Sequence, residues 1–289
     1  MLKVMTFNLA NYDDHDNVTD GFWSVRLQMF ADIICENLPD IISFQEVRFN
    51  PDNCSTQLLY QNMAEQILYE LNLRGKYIGS TILIQPVMYY NTTNNVYTFP
   101  APSLPTPRFQ DALCKWEGLS IISNSTVNET GSRFLSIVNN GDTNKRSVKS
   151  AIINTLSGQT LYVFNCHYSY NIDNFQKNVE ETIEYMKPFL QYPCLLMGDM
   201  NQTEENSDED IAEKVKESFD LFRNEGLYDV WQQLNPDDPG YTDRTKPQRI
   251  DYIWANFSDI DSIHRVGMVP DKQGVYASDH YGLILKMNN

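Results

Sequence analysis

Short apolar runs that end in a polar, chemically reactive side chain recur along this sequence. The run at residues 195–197 is followed by Gly198, Asp199, Met200 and Asn201. Residues two apart in an extended strand point to the same side, so Asp199 and Asn201 are expected to face one small target. Asp and Asn are also ordinary turn residues, and this pair alone leaves a plain turn as the alternative.

Other runs that are typical of strands carry the same signal. A polar residue lies at the end of each of these runs or beside its start. These residues are Asn8, Glu46, His167, Asp251, and Asp279 with His280. Each of these residues alone has an ordinary explanation, such as a turn, a cap or a solvated strand end. Strand ends along one edge of an α/β sheet are neighbours in space, and such proteins build their sites there. The joint recurrence therefore predicts one polar cleft.

Helical and extended patterns alternate between these runs. Apolar residues at helical spacing predict helices over residues 22–38, 59–71, 175–186 and 211–222. Strands are predicted at 2–7, 41–44, 87–91, 118–122, 147–155, 160–166, 195–197, 249–255, 263–269 and 282–287. The Pro-rich stretch 100–107 predicts an extended surface loop. Because hairpins occur among the helices, the pattern favours an α/β protein with mixed sheets over a purely parallel one.

Length and composition set the class of protein. The chain has 289 residues and no Gly/Ser- or Pro-rich linker, which predicts a single domain over residues 1–289. With 22 basic and 38 acidic residues the formal charge is −16, which opposes strong sequence-independent binding of nucleic acid and suits divalent cations.

Cysteine usage and hydropathy indicate where the protein acts. The five cysteines lack paired metal spacing, which predicts free thiols in a reducing compartment. No apolar run reaches membrane-spanning length and no leader is visible. The expectation is a cytoplasmic monomer without integral membrane association.

Seven short motifs resemble those of the endonuclease/exonuclease/phosphatase superfamily, in the same order. They are Thr6–Asn8, Phe44–Glu46, Glu117–Leu119, Asn165–His167, Gly198–Asn201, Arg249–Tyr252 and Ser278–His280. The resemblance implies a DNase I-like fold, a four-layer α/β/β/α sandwich of two mixed β-sheets flanked by helices. It also implies a Mg²⁺-dependent hydrolase of phosphate esters, with Mn²⁺ as a substitute ion.

The resemblance implies a role for the residues that grip the ion and the water. Glu46 resembles the principal Mg²⁺ ligand, with Asn8 and Asp279 near the same ion. Asp199 resembles the group that orients or deprotonates the attacking water, and Asn201 the group that holds the phosphate. Hydrolysis of a phosphodiester develops negative charge on the phosphoryl and leaving oxygens, so it needs a cation and hydrogen-bond donors there.

Two histidines complete the set that the resemblance implies. His280 resembles an acid/base histidine that contacts the phosphate and is polarised by Asp251. His167 resembles a second histidine, oriented by Glu117, as in the branch that contains DNase I and the neutral sphingomyelinases. The apurinic-endonuclease branch has a tyrosine at this position, so that branch is disfavoured.

The fold does not choose the substrate among phosphate esters. The first hypothesis is a nuclease or an end-processing phosphodiesterase of DNA or RNA. The second is a lipid or small-molecule phosphoesterase, sphingomyelinase-like or inositol-phosphatase-like. The third is a binding or scaffold protein with a catalytically silent site, which is disfavoured because every motif residue is present.

Basic and aromatic residues near the motifs give only weak guidance on that choice. The basic groups at residues 145–149 and 244–249 are interpreted as solvated loops. Three roles are open for the aromatic residues near the motifs: stacking on a base, shielding a lipid headgroup or completing the core. These residues are Tyr168, Tyr170, Trp231, Tyr241 and Trp254.

Overall fold

The structure is a computed structural model that describes residues 1–10, 23–49, 61–91, 96–98, 114–155 and 158–288. The helices in these ranges are α1 Trp23–Asn37, α2 Met63–Leu73, α3 Ile172–Met186, α4 Glu209–Asn224 and α5 Val230–Leu234. The strands are β1 Leu2–Asn8, β2 Ile41–Phe49, β3 Thr81–Asn91, β4 Val96–Thr98, β5 Cys114–Ser123, β6 Thr126–Leu135, β7 Arg146–Asn154, β8 Thr160–His167, β9 Cys194–Asp199, β10 Tyr228–Asp229, β11 Asp251–Ala255, β12 Ile260–Val266 and β13 Gly282–Met287.

The strands form two mixed sheets. The first has the order β12-β13-β1-β2-β5-β3-β4 and the second β10-β11-β9-β8-β7-β6. Each sheet holds a parallel pair, β1 with β2 and β8 with β9, and the neighbours of those pairs are antiparallel. A parallel pair needs a long crossover, which α1 and α3 supply. The carboxyl ends of β1, β8 and β9 carry Asn8, His167 and Asp199, which the sequence singled out.

Three apolar cores hold four layers together. Helices α1 and α2 cover the outer face of the first sheet, where Phe30 and Ile67 pack with Phe44. Helices α3 and α4 cover the second sheet, where Phe175 and Phe219 lie in one core. A third core between the two sheets contains residues of both, including Val4, Ile41, Val163, Leu195 and Ile253. This is the predicted four-layer α/β/β/α sandwich.

The four predicted helices are confirmed within a few residues, but strand boundaries differ. Strand β6 was not predicted, because its sequence is polar and it is the mostly exposed edge of the second sheet. Strand β3 begins at Thr81 and passes through Pro86, where its register shifts against β5. Strand β12 ends at Val266, short of residue 269. The predicted loop at 100–107 and the start of the second predicted helix at residue 59 lie outside the described residues.

Cys35, Cys166 and Cys194 are free thiols in the structure. Burial raises the pKa of the Cys194 thiol to about 12 and that of Cys166 further still. Of the helices that the structure describes, none combines the length and the apolar character needed to cross a membrane.

Candidate active site

The polar strand ends converge on a cleft of about 780 Å³ at the edge shared by the two sheets. Seven of the nine residues expected at the site line this cleft, namely Glu46, Glu117, His167, Asp199, Asn201, Asp279 and His280. The other two, Asn8 and Asp251, are buried and contact lining residues. The structure therefore brings together, at one edge of the sheets, the residues that the sequence singled out.

Asp199 occupies the centre of the cleft floor because of strand register. It pairs with His167 of β8 on one side and with Asp251 of β11 on the other, so the three residues lie side by side. Gly198 before it has φ 143°, and a Cβ there would lie 2.0 Å from the carbonyl oxygen of Cys166. Only glycine allows β8 and β9 to approach this closely.

Asn201 does not continue the strand as expected. The chain turns at this residue, with φ 55°, and its backbone N–H donates to Asp199 Oδ1 at 2.8 Å. Its side-chain Nδ2 donates to the carbonyl oxygen of Tyr168 at 3.0 Å. The Gly-Asp-Met-Asn stretch is thus both a turn and part of the site, since the turn fixes one oxygen of Asp199.

Glu46 reaches the cleft from a bulge and not from a strand end. Strand β2 continues to Phe49, and its pairing with β5 shifts register between Phe44 and Val47. Glu46 lies in that shift with φ 52°, a conformation that non-glycine residues seldom adopt. Bulges of this kind re-aim a side chain beside an active site.

Asn8 joins the two carboxylates of the cleft floor. Its Nδ2 donates to Asp199 Oδ2 at 2.9 Å and to Glu46 Oε1 at 3.2 Å, and its Oδ1 accepts from the Ala10 N–H at 2.9 Å. The side chain presents its nitrogen to the cleft, whereas a metal ligand presents oxygen. In this structure Asn8 orients Glu46 and Asp199 through its nitrogen, and its place near an ion stays a prediction.

The segment that carries Asp279 is tied to the end of β1. Ser278 Oγ donates to the Asn8 carbonyl oxygen at 2.7 Å. The buried guanidinium of Arg26 on α1 donates to the carbonyl oxygens of Ala277, at 2.8 Å, and of Leu9. Helix α1 therefore clamps together the two segments that bring Asn8 and Asp279 to the cleft.

His280 is held as a cation by the residue predicted to polarise it. Its Nδ1 lies 2.8 Å from Asp251 Oδ2, and its Nε2 lies 3.9 Å from Asp199 Oδ2. Burial disfavours the charged form, but the carboxylates of Asp251 and Asp199 outweigh it and raise the pKa of His280 well above its usual value. The geometry therefore directs a protonated Nε2 toward the cleft.

His167 has the opposite charge state, because its neighbour is an arginine. Arg146 Nη1 lies 2.8 Å from His167 Nε2, and a guanidinium can only donate, so this nitrogen accepts. Burial and the Arg146 charge lower the pKa of His167 well below its usual value. Arg146 also donates to Asp142 Oδ2 at 3.1 Å. Its interpretation as part of a solvated loop was wrong, since only 5% of Arg146 is exposed.

Glu117 was expected to orient His167, and the structure gives it another partner. Its Oε2 accepts from Arg48 Nε at 2.8 Å and lies 2.6 Å from Arg48 Nη2. Among the described residues no hydrogen bond joins Glu117 to His167, whose Nε2 accepts from Arg146 instead. The next residue is a glycine, Gly118, because a Cβ at this position would lie 2.0 Å from the carbonyl oxygen of Gln85.

The carboxylates of the cleft repel one another. Burial, with the nearby charges of Glu117 and Asp279, raises the pKa of Glu46 to about 7. Burial also raises the pKa of Asp199 to about 6, against the opposing effect of His280. Carboxylate oxygens are the ligands that Mg²⁺ prefers, and a divalent cation relieves this repulsion. Glu46, His167 and Asp199 each offer one ligand atom, and these atoms lie within 4.8 Å of one another. With Asp279 also lining the cleft, the carboxylates of this set fit a hard divalent ion.

These shifts predict how the stability of the metal-free protein depends on pH. Glu46 has a higher pKa in the native state than in the unfolded state, so at a pH between the two values only the native state holds its proton. The free energy of unfolding therefore rises as the pH falls through 7. His280 acts in the same direction. His167, whose pKa is lowered in the native state, has the opposite effect on stability, but only at pH values below its ordinary pKa of 6.5. In EDTA the melting temperature is expected to be higher at pH 6.5 than at pH 8.5 by roughly a few degrees.

Thermal unfolding followed by circular dichroism measures this dependence. The Glu46→Gln variant is the control, because it loses the carboxylate that takes up the proton and keeps the rest of the surface charge. Its melting temperature should change less between the two pH values than that of the wild type. An equal change in both proteins would contradict the prediction.

Family membership follows from the sequence as well as from the site. Residues 5–280 match the model of the Endonuclease/Exonuclease/phosphatase family. Together the fold and the cleft define a phosphoester hydrolase of the DNase I-like class. The chain belongs to the Endonuclease/Exonuclease/phosphatase family, which confirms the resemblance found in its motifs. No curated protein matches the sequence significantly.

Solved structures share the fold over the whole chain. A family protein from Leptotrichia buccalis has a TM-score of 0.69 and 18% identity, covering 100% of both chains. D. rerio TDP2 complexed with a single-strand DNA product has a TM-score of 0.66 and 17% identity, covering 100% of this chain and 99% of its own. A mannosyl-6-phosphatase of Bacteroides thetaiotaomicron has a TM-score of 0.64 and 16% identity, covering 100% of both chains. At these identities the likeness concerns the fold.

Proposed function

We propose that the protein is a Mg²⁺-dependent phosphodiesterase acting on nucleic acid, as a nuclease or an end-processing enzyme. One observation carries the proposal, the fixed position of Asp199 between Asn8, at 2.9 Å, and the protonated His280, at 3.9 Å. A carboxylate held beside a proton donor is what attack of water on phosphorus requires.

Glu46 and Asp279 would hold the ion, with Asp199 beside them. When bound, the ion supplies positive charge that stabilises the phosphoryl oxygens as they gain negative charge. Asn8 keeps the carboxylates of Glu46 and Asp199 apart and oriented through its two hydrogen bonds.

Asp199 would accept the proton of the attacking water. Its Oδ1 is held by the Asn201 N–H at 2.8 Å and its Oδ2 by Asn8 at 2.9 Å, so the carboxylate is already oriented before substrate binds. A pKa raised to about 6 makes Asp199 a stronger base than an exposed carboxylate, yet still ionised at neutral pH.

The two histidines act on the phosphate from different charge states. His280 donates its Nε2 proton toward a phosphoryl or leaving oxygen, and Asp251 keeps the ring charged. His167 is neutral and fixed by Arg146, whose guanidinium lines the cleft and adds positive charge near the phosphate. Removing a positioned donor of this type typically costs on the order of 10²- to 10³-fold in rate.

Cationic and aromatic lining residues support nucleic acid as the substrate. Arg48, Lys115 and Arg146 line the cleft together with the exposed aromatic side chain of Tyr170. Nucleic-acid sites combine cations that neutralise the backbone with aromatic rings that stack on bases. The TDP2 structure holding a single-strand DNA product shows that this fold can accommodate such a substrate.

A small-molecule phosphate ester is the second candidate, and the electrostatics favour it. The formal charge of the chain is −16. Against those three cations and the charged His280, five acidic residues line the cleft, namely Glu46, Glu117, Asp199, Asp243 and Asp279. A negative surface repels a long polyanion more than a single phosphate group. The mannosyl-6-phosphatase with the same fold fits this alternative.

One panel of substrates tests both candidates. Plasmid DNA, a single-stranded oligonucleotide, a 5′-tyrosyl oligonucleotide, sphingomyelin, inositol phosphates and mannose 6-phosphate are each incubated with Mg²⁺ or EDTA. The proposal expects cleavage of a nucleic-acid substrate that needs Mg²⁺ and disappears in the Asp199→Asn variant. Hydrolysis of the sugar or inositol phosphates alone would replace it with the second candidate. No hydrolysis of any substrate would overturn both.

A further inference from the structure

Tyr170 is an exposed aromatic residue inside the cleft. Its side chain lines the cleft together with Arg146, His167 and Asp199, and 54% of the residue is exposed. Within the described part of the chain, its ring and hydroxyl make no ring contact, ion pair or hydrogen bond. A large ring open to water beside a reaction centre is available for contact with substrate.

The backbone beneath Tyr170 is held on both sides. Gln202 Nε2, on a buried side chain, donates to the Tyr170 carbonyl oxygen at 2.7 Å. The preceding residue, Ser169, is fixed by its N–H to Asn178 Oδ1 at 3.1 Å and by its hydroxyl to Asp142 Oδ2 at 2.7 Å. The ring therefore projects from a rigid segment, and little conformational entropy is lost when something packs on it.

Other aromatic residues singled out in the sequence do not share this exposure. Tyr168, Trp231 and Trp254 are 0%, 4% and 0% exposed and pack inside the two cores of the second sheet. Tyr170 is two residues from Tyr168, but the strand ends at His167 and the chain leaves the sheet between them. Tyr170, unlike these residues, does not belong to an apolar core.

Asn201 and Gln202, two and three residues after Asp199, link the backbone at Tyr170 to the proposed reaction centre. Asn201 and Gln202 directly follow the turn that positions Asp199, and they hold the carbonyl oxygens of Tyr168 and Tyr170. These hydrogen bonds hold the backbone of residues 168–170 at a fixed position relative to the turn after Asp199. The Cα atom that carries the Tyr170 ring is thus fixed beside the proposed reaction centre, and the ring can rotate to meet a base.

We infer that Tyr170 is the platform on which a planar base next to the scissile phosphate stacks, so that the substrate is a nucleotide ester and not an aliphatic phosphate. This inference rests on the proposed function and specifies its substrate class. Stacking suits a cleft of this composition because it binds a base without adding cations to an acidic protein. It needs only one or two nucleotides in the cleft, which the negative surface tolerates better than a long duplex.

A pair of dinucleotides that differ by one base provides the test. One is a thymidine dinucleotide and the other carries a tetrahydrofuran in place of one base, with the same phosphate and charge. The proteins are the wild type, Tyr170→Ala, Tyr170→Phe and Tyr69→Ala. Tyr69 on α2 is 41% exposed and serves as the matched surface control.

Stacking on one ring is expected to change the affinity by about tenfold. Tyr170→Ala should therefore raise KM for the thymidine dinucleotide about tenfold, with kcat less affected, and leave KM for the abasic analogue unchanged. Tyr170→Phe and Tyr69→Ala should behave as the wild type, because stacking needs the ring and not the hydroxyl. Equal effects of Tyr170→Ala on both substrates, or no effect on either, would overturn the inference.

Binding without turnover separates this inference from the proposed function. The same dinucleotides are titrated by calorimetry into the Asp199→Asn variant with and without Tyr170→Ala. A preference for the thymidine dinucleotide that disappears with Tyr170→Ala supports stacking, even if the wild type hydrolyses neither compound and the proposed function is then wrong. Equal binding of the two dinucleotides to Asp199→Asn overturns stacking whatever the turnover.

Discussion

Replacing Asp199 with asparagine is expected to lower kcat by about 10²- to 10⁴-fold on any phosphoester that the wild type hydrolyses, since this is the usual contribution of a positioned general base. Asparagine keeps the shape of the side chain and can still accept from the Asn201 N–H. It cannot take up the proton of water at neutral pH. KM should change much less than kcat, because the phosphate contacts of His280 and Arg146 remain.

The fold of this variant should survive, so the loss can be assigned to chemistry. Burial raises the pKa of Asp199 to about 6, which means that the charged carboxylate is disfavoured in the native state. Asparagine removes that charge but also loses the hydrogen bond from Asn8 to Oδ2, so the melting temperature is expected to stay within a few degrees of the wild type. Asp229→Asn is the matched control, since Asp229 is also buried but caps α5 away from the cleft. It should lower stability and leave kcat unchanged.

Steady-state kinetics with saturating Mg²⁺ and thermal unfolding of the three proteins check this expectation. A kcat within a few-fold of the wild type in a folded Asp199→Asn protein would show that another group activates the water. His167, whose neutral Nε2 lies 3.5 Å from Asp199 Oδ2, would then be the next candidate.

The position of the site was predictable because strands buried on both faces leave a clear record in sequence. Residues 2–7 form an almost continuous apolar run, and β1 is buried along nearly its whole length. A polar residue at the end of such a run stands out against that background. Asn8, His167 and Asp199 were found in this way, and register alone brings His167 beside Asp199.

Backbone irregularities and contacts between distant segments were not predictable from the sequence. Glu46 reaches the cleft through a register shift with φ 52°, and no local residue preference marks that bulge. Arg146 is buried because the loop containing Asp142 folds back toward it, so a basic stretch that was interpreted as solvated supplies the partner of His167. The partner of Glu117 depends on which sheet β5 joins, and a linear sequence does not show this.

These differences change the roles that the resemblance had implied. Asn8 positions two carboxylates through its nitrogen, and Glu117 is neutralised by Arg48. Burial, followed by the charges of Glu117 and Asp279, raises the pKa of Glu46 to about 7, so a bound cation would relieve both costs at this carboxylate. A divalent ion would therefore depend more on Glu46 than on either neighbour.

Replacing Glu46 with glutamine is accordingly expected to weaken Mn²⁺ binding by more than about 100-fold, since removing even an outer partner of a metal ligand typically costs 10- to 100-fold. Mn²⁺ is used because its binding can be followed by electron paramagnetic resonance and by calorimetry without turnover. Glu117→Gln is the matched comparison, because it removes the same charge from the same cleft. The Glu117 carboxylate is already paired with Arg48, so the loss of this carboxylate changes only the local electrostatic field.

The ratio of the two effects distinguishes ligation from general electrostatic attraction. A direct ligand predicts a far larger loss for Glu46→Gln than for Glu117→Gln, and the loss should persist in high salt, where the field of exposed charges is screened. Equal losses that shrink together as salt is added would show that the cleft attracts cations only through its summed charge. Unchanged Mn²⁺ affinity in a folded Glu46→Gln protein would place the ion elsewhere in the cleft and leave Glu46 without the role assigned to it.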